Sequence, residues 1–186
     1  MRSNQAAISA SVCEAKIRFV LTQLKLFVNE GHQAVIFAIE GEAKTMITCR
    51  FATEADLPAV YLINRESNPH TWAEQHFQAA LLNQNLYLAE YQNQITAFAV
   101  WQTVLDEAEL HLIVCDRSFQ KMGMASALIQ DFVVQHQEVK RLFLEVRESN
   151  QAARNLYQKQ GFYITGRRKN YYMFPIEDAL IMEKSC

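Results

Sequence analysis

A buried-type strand that turns through a small-residue loop into a helix constrains this chain more than any other stretch. From Leu110 to Asp131 the sequence reads LHLIVCDRSFQKMGMASALIQD. Leu110 to Cys115 has the length and composition of a buried strand. Asp116-Arg117-Ser118-Phe119 makes a polar joint, Gln120 to Ala125 the loop, and Ala127, Leu128, Ile129, Phe132 and Val133 then recur at helical spacing. The first N–H groups of such a helix have no intrahelical partner, and the positive end of the dipole lies behind them, so the joint is a ready anion site. Gly123 and Ala125 keep side chains away from a pyrophosphate approaching that backbone. An ordinary strand–loop–helix joint, with small residues that only help packing, satisfies the same pattern, and short glycine motifs have many false positives.

The rest of the composition narrows the class. The 186 residues suit one domain with or without an appendage, and half of them are apolar, enough for a sizeable core. A net charge of −2 gives no sign of the basic face that nucleic-acid binding requires. The four cysteines, Cys13, Cys49, Cys115 and Cys186, show no metal-ligand spacing, and a reduced, cytoplasmic protein is the simplest reading. No apolar run approaches the roughly 18 residues of a membrane span, and no signal peptide is evident.

Residues 1–45 do not read like the remainder. Ile8, Val12, Ile17, Val20, Leu21, Leu24 and Phe27 suggest an amphipathic helix ending near Gly31, and a short apolar run, Ala34 to Ile39, precedes Gly41. A docking helix, an extra helix packed on the domain, and sequence upstream of a natural start at Met46 are the three readings. We take the third, because residues 46–186 read as a complete domain.

From Met46 the pattern predicts a strand over Ile47–Phe51, a helix capped by Thr53 and running to about Ile63, and a second helix opened by Thr71 with capping-box spacing and ending near Leu82. Leu86 to Glu90 and Ile95 to Val104 read as strands joined around Gln92-Asn93, and Glu109 to Cys115 as the strand feeding the loop. Leu142 to Val146 is a further strand, and Ser149 to Gln160 a helix stopped by Gly161. Phe162 to Thr165 and Ala179 to Met182 complete the order. Antiparallel strands first and strand–helix–strand later predict an α/β fold with a mixed, mostly antiparallel sheet and helices on both faces.

These residues carry a resemblance. Gln120-x-x-Gly123-x-Ala125 after a strand resembles the acetyl-CoA signature of the GCN5-related N-acetyltransferases, the GNAT superfamily. Leu105-Asp106-Glu107-Ala108, Leu144-Glu145-Val146-Arg147, Ser149-Asn150 with Ala152-Ala153, Leu156-Tyr157, Gly161-Phe162, Arg168-x-Asn170-Tyr171-Tyr172 and Glu177-Asp178-Ala179 resemble more closely its ribosomal-protein-alanine N-acetyltransferase branch. The resemblance covers about residues 46–184.

It implies a cofactor lying where two parallel strands splay apart, here those ending at Cys115 and Val146. Backbone groups of Ile113, Val114 and Cys115 would pair with the pantetheine of acetyl-CoA, and the N–H groups of Lys121, Met122, Gly123, Met124, Ala125 and Ser126 would hold its pyrophosphate. Asn150 matches a position that contacts the cofactor, although a helix-start role suits it equally. Glu145 interrupts an apolar strand. Alternation alone makes it an exposed or ion-paired residue, and the resemblance makes it the general base. Tyr157 lies two helical turns after Asn150; by itself it reads as a core aromatic, and by resemblance it protonates the departing thiolate.

Several positions depart from the family pattern. Lys121 is what remains of an arginine-rich loop, Ala125 replaces the final glycine, Arg117 stands where proline is common, and Leu112 where asparagine is common. A substrate-side Phe-Pro-Trp pattern becomes His70-Thr71-Trp72, while His70, His76 and His111 lack paired ligand spacing and read as structural or surface residues, with no metal expected. Cys115 is a thiol in a strand, and no histidine is evident to activate it. The resemblance therefore implies direct transfer of acetyl from acetyl-CoA to the N-terminal alanine amine of a small-subunit ribosomal protein, without nucleic-acid or membrane contact. A free small amine or a protein lysine is the alternative acceptor, and a catalytically silent acyl-CoA-binding module the alternative of another class.

Overall fold

The computed structural model describes residues 47–186, together with two two-residue strands, Val28–Asn29 and His32–Gln33, paired antiparallel. The helix expected before Gly31 and the apolar run after it lie outside the described residues. The elements are β1 (Ile47–Phe51), α1 (Leu57–Ser67), α2 (Glu74–Leu82), β2 (Leu86–Tyr91), β3 (Gln94–Val104), β4 (Glu107–Cys115), α3 (Met124–Gln135), β5 (Arg141–Arg147), α4 (Gln151–Lys159), β6 (Tyr163–Met173) and β7 (Ile176–Ser185). They form one seven-stranded sheet in the order β1-β2-β3-β4-β5-β7-β6, in which β4–β5 is the parallel pair and every other neighbour is antiparallel.

Helices cover both faces, as the element order predicts. Val60, Ile63, Phe77 and Ala80 of α1 and α2 pack on Leu86, Leu88, Phe98 and Val100. On the other face Leu128, Ile129 and Phe132 of α3 and Tyr157 of α4 pack on Tyr87, Trp101, Leu142 and Leu144. Trp101 and Phe132 stack with centroids 4.1 Å apart. No described helix is long and apolar enough to cross a membrane.

The turns follow the residue chemistry. Gln92 and Asn93 both take positive φ in the two-residue turn between β2 and β3, which suits the twist of a hairpin. Gly161, at φ 89, ends the turn after α4 in a conformation that costs glycine little.

Three boundaries differ from the sequence expectation. Thr53 opens a 3-10 turn, Glu54–Asp56, before α1 begins at Leu57, because the Asp56 carboxylate takes both the Thr53 N–H and its hydroxyl at 2.7 Å. Thr71 does not cap α2, which starts at Glu74 with Ala73 as its N-cap. The buried Asn64 side chain donates to the Trp72 carbonyl at 2.9 Å and accepts from its N–H at 3.3 Å, which holds Trp72 out of the helix and moves the cap two residues on from Thr71. The last two strands run to 11 and 10 residues, where the sequence predicts short strands over Phe162–Thr165 and Ala179–Met182. As the sheet edge, β6 exposes most of its residues, and its register against β7 shifts between Ile164 and Gly166 and again between Arg168 and Tyr172. Both features erase the period-two pattern by which strands are read.

Candidate active site

The parallel pair stops early. β4 and β5 pair from Glu107↔Arg141 to Leu110↔Leu144 and no further. Beyond that point β4 keeps its antiparallel partner β3 as far as Cys115, and β5 keeps β7 through Arg147, so the two strands part. The backbone edge of β4 after Leu110 is left without a strand partner on that side, as the splayed-strand expectation requires.

A cleft of about 360 Å³ fills the opening. One wall is β4 from Leu110 to Cys115, including the expected Ile113, Val114 and Cys115. The facing wall is Glu145, Val146 and Arg147 of β5 with Asn150, Ala153 and Tyr157 at and along α4. Residues 67–70 and Trp72 of the α1–α2 connection form a lip, and Tyr172 of β6 closes the side. The expected base, the expected acid and the pantetheine edge thus converge on one space.

The loop at the end of the cleft is built by local capping. The Asp116 carboxylate accepts from Ser118 N–H at 2.8 Å to start a 3-10 turn over Arg117–Phe119. Phe119 packs toward Tyr91, with centroids 5.9 Å apart. Lys121 and Gly123 then take positive φ, 64 and 92, and Gly123 is the N-cap of α3. Intrahelical pairing begins with Ala127 N–H on the Gly123 carbonyl at 2.9 Å, which leaves the preceding amides of Met124, Ala125 and Ser126 at the start of the helix. The Met124 side chain is buried and Met122 packs on the core, so both contribute backbone rather than side chain to the loop surface. Lys121 is exposed, Gln120 lines the cleft, and the arrangement suits a diphosphate.

Asn150 is the N-cap of α4, its side chain accepting from Ala153 N–H at 3.1 Å, so the helix-start role holds and coexists with a place in the cleft wall. Tyr157 is 6% exposed, and burial, with Tyr172 and Cys115 nearby, pushes its hydroxyl well above the usual phenol range. The group therefore stays protonated at any working pH, which suits a donor. Burial pushes the Cys115 thiol up to about 11, against the lowering effect of the Ala125 N–H, and makes it a poor nucleophile.

Glu145 is partly buried, its side chain 15% exposed, and lies 3.0 Å from Arg168 Nε. The Glu145 carboxylate also lies beside Tyr171 and raises the phenol of that tyrosine. Arg168 in turn sits over the Tyr171 ring at 5.4 Å. Arg147 stacks on Tyr172 at 4.1 Å, pairs with Glu177 at 3.1 Å, and donates to the carbonyls of Phe174 and Pro175 at 3.2 and 3.3 Å. That guanidinium joins the β5–β7 ladder and the Ser149 N–H to Glu177 bond in anchoring the β6–β7 hairpin to the cleft wall. Burial, with Glu145 the next contribution, pushes Tyr172 up to about 12.

Sequence reasoning assigned no catalytic or cofactor-binding role to His70, Trp72, His111, Arg147 or Tyr172, which line the cleft, or to Arg168, which reaches Glu145. His70 and His111 are exposed, as the reading of them as structural or surface residues expects, and both also line the cleft. His76 lies outside the lining, edge-on to Trp72 at 5.6 Å. The available signals were the His70-Thr71-Trp72 pattern, of which His70 and Trp72 line the cleft, and the Arg168-x-Asn170-Tyr171-Tyr172 pattern, of which Tyr172 lines it and Arg168 reaches Glu145.

A splayed parallel pair with a tight loop and helix start beneath it defines an acyl-CoA-dependent transferase architecture. The family model of the acetyltransferase (GNAT) family matches residues 57–162, and the chain belongs to that family. It is 39% identical over 132 residues to the [ribosomal protein bS18]-alanine N-acetyltransferase of Escherichia coli (strain K12), covering 68% of this chain and 89% of that protein. The protein of the same name from Haemophilus influenzae is 40% identical over 137 residues, covering 68% and 90%. Among solved structures, the ribosomal-protein-S18-alanine N-acetyltransferase from Escherichia coli superposes with a TM-score of 0.68 at 35% identity, covering 75% of this chain and 94% of the other. A GNAT family acetyltransferase from Elizabethkingia anophelis with acetyl-CoA bound has a TM-score of 0.62 at 25% identity, over 75% and 98%.

Proposed function

We infer that this protein is an N-α-acetyltransferase that moves acetyl from acetyl-CoA to the N-terminal alanine of a small-subunit ribosomal protein in the cytoplasm. Residues 46–186 are the catalytic unit in this reading. The observation that carries it is Glu145 and Tyr157 on the walls of one cleft at the β4–β5 parting, in a chain about 40% identical to relatives named for that reaction.

Acetyl-CoA supplies the acetyl group as a thioester. The amides of Lys121 to Ser126 hold its diphosphate, the free edge of Ile113, Val114 and Cys115 aligns the pantetheine, and Asn150 contributes from the start of α4. The acceptor enters between the α1–α2 lip and the β6–β7 hairpin, on the side of Glu145 and Tyr172. An α-amine has a pKa of about 8 against about 10.4 for lysine, a difference of roughly 3 kcal/mol in reaching the neutral nucleophile. A carboxylate such as Glu145, acting directly or through water, serves for the former. Tyr157 delivers its proton to the sulfur that leaves.

The test is mass spectrometry after incubation with acetyl-CoA and two peptides. One has an N-terminal alanine and no lysine; the other has a blocked N-terminus and a free lysine. The reading predicts acetylation of the first at a much higher rate, and preference for the second overturns the acceptor assignment.

A further inference from the structure

At the point where β4 and β5 part, the next residue on each strand is ionisable. Leu110↔Leu144 is the last parallel pair, and His111 and Glu145 follow it. β4 carries one extra residue here, since Val100 pairs with Leu112 and Trp101 with Leu110, which leaves His111 as the bulged residue. His111 lines the same cleft as Glu145 and Tyr157, and its Nε2 lies 3.8 Å from Oε2 of Glu109, two residues earlier on β4.

Glu145 is already engaged, by Arg168 at 3.0 Å and by Tyr171. The reaction, however, must take two protons from one nitrogen. The acceptor arrives as an ammonium and loses one proton to become a nucleophile. Its lone pair forms the C–N bond as the C–S bond breaks, and the nitrogen loses a second proton to become an amide. The sulfur takes a proton from Tyr157; of the two protons lost by nitrogen, one restores Tyr157 by way of solvent and the other is released to solvent.

We propose that His111 is a second proton acceptor of the transfer, taking from the acceptor nitrogen one of the two protons while Glu145 takes the other. The inference rests on the N-α-acetyltransferase reading above. An imidazole is suited to the role because a neutral ring nitrogen accepts a proton, which makes histidine a common general base. The groups facing it are Glu109 on its own strand, Glu145 and Arg147 of β5 with Arg168 of β6 behind Glu145, and His70, Cys115, Tyr157 and Tyr172 around the cleft. Glu109 is the counter-charge for the imidazolium that forms.

The test is the pH dependence of single-turnover acetylation of the alanine-starting peptide by the wild type, His111→Gln and His111→Phe. Acetyl-CoA affinity is measured by calorimetry and folding by thermal melting. Both variants should lose about tenfold to a hundredfold in rate at pH 7. The defect should shrink toward pH 9 as the α-amine, with pKa about 8, loses its proton unaided. Acetyl-CoA affinity should not change, and added imidazole should restore part of the rate in His111→Gln. A variant profile that superimposes on the wild type overturns the inference. So does a loss of equal size at every pH, which marks a packing role, and a variant that melts early is read against its partner substitution. Failure of the wild type to acetylate the peptide overturns the acceptor reading itself, whereas wild-type transfer with unchanged variants overturns His111 alone.

Discussion

Arg168 of β6 holds its Nε 3.0 Å from the Oε1 of Glu145 on β5, two strands away in the sheet order, with β7 between them. The contact depends on the register shift that precedes Arg168, where Ile164 pairs with Met182 but Gly166 with Ile181, so that Arg168 shares the sheet face of Glu145. The guanidinium occupies the carboxylate that an incoming ammonium would approach. The Arg168 side chain is about half exposed, so the pair is screened and its strength modest. Arg168→Gln is expected to lower the acceptor KM by about two- to fivefold, with kcat at neutral pH little changed, as suits release of one exposed ion pair. Steady-state kinetics at saturating acetyl-CoA reads both constants. A raised KM with a collapsed kcat would show instead that Arg168 itself holds the acceptor.

The loop prediction separates cofactor binding from chemistry. Gly123 sits at φ 92 as the N-cap of α3, where a side chain is strained and a carboxylate would repel a diphosphate. Gly123→Glu should fold with a lower melting temperature and lose acetyl-CoA affinity by at least about tenfold, or 1.4 kcal/mol. Calorimetry with acetyl-CoA is the measurement. Near-normal affinity in a folded variant contradicts the diphosphate site.

Far from the cleft, Asp131 of α3 is 3% exposed, and burial pushes its carboxyl up to about 6 from an ordinary 3.8, against the lowering effects of Gln135 and His136. The folded state therefore binds this proton more tightly than the unfolded chain does. Its favourable contribution is complete below about pH 4 and is lost as pH rises through about 6. A shift of that size corresponds to roughly 3 kcal/mol at pH 8. Asp131→Asn should raise the melting temperature at pH 8 and give little or no gain near pH 4. Thermal melts at both values check it, and equal effects at the two would contradict the assignment.

What the sequence reveals and conceals divides along physical lines. Features written into neighbouring residues are legible: the small residues of the Gly123 loop, the helix stop at Gly161, and Asn150 and Tyr157 spaced along one helix. Features that depend on register are not. Alternation cannot show that β4 carries an extra residue at His111, because a bulge shifts the pattern without marking its place. The two shifts in β6 similarly hide how Arg168 and Tyr172 reach the cleft. The Asn64 clamp on Trp72 joins residues eight apart through a side chain, and no local propensity at Thr71 predicts that it displaces a cap.

The central claim is that Glu145 and Tyr157 handle protons in opposite directions across this cleft. It is tested most directly by the single-turnover rate of Glu145→Gln and Tyr157→Phe on an alanine-starting peptide as a function of pH. Glu145→Gln keeps the shape and removes an acceptor, so its defect should narrow as pH rises past the α-amine pKa of about 8. Tyr157→Phe removes a donor, so its defect of about a hundredfold should persist at every pH, with acetyl-CoA affinity unchanged. Two variants with parallel profiles, or with wild-type rates, would contradict the account.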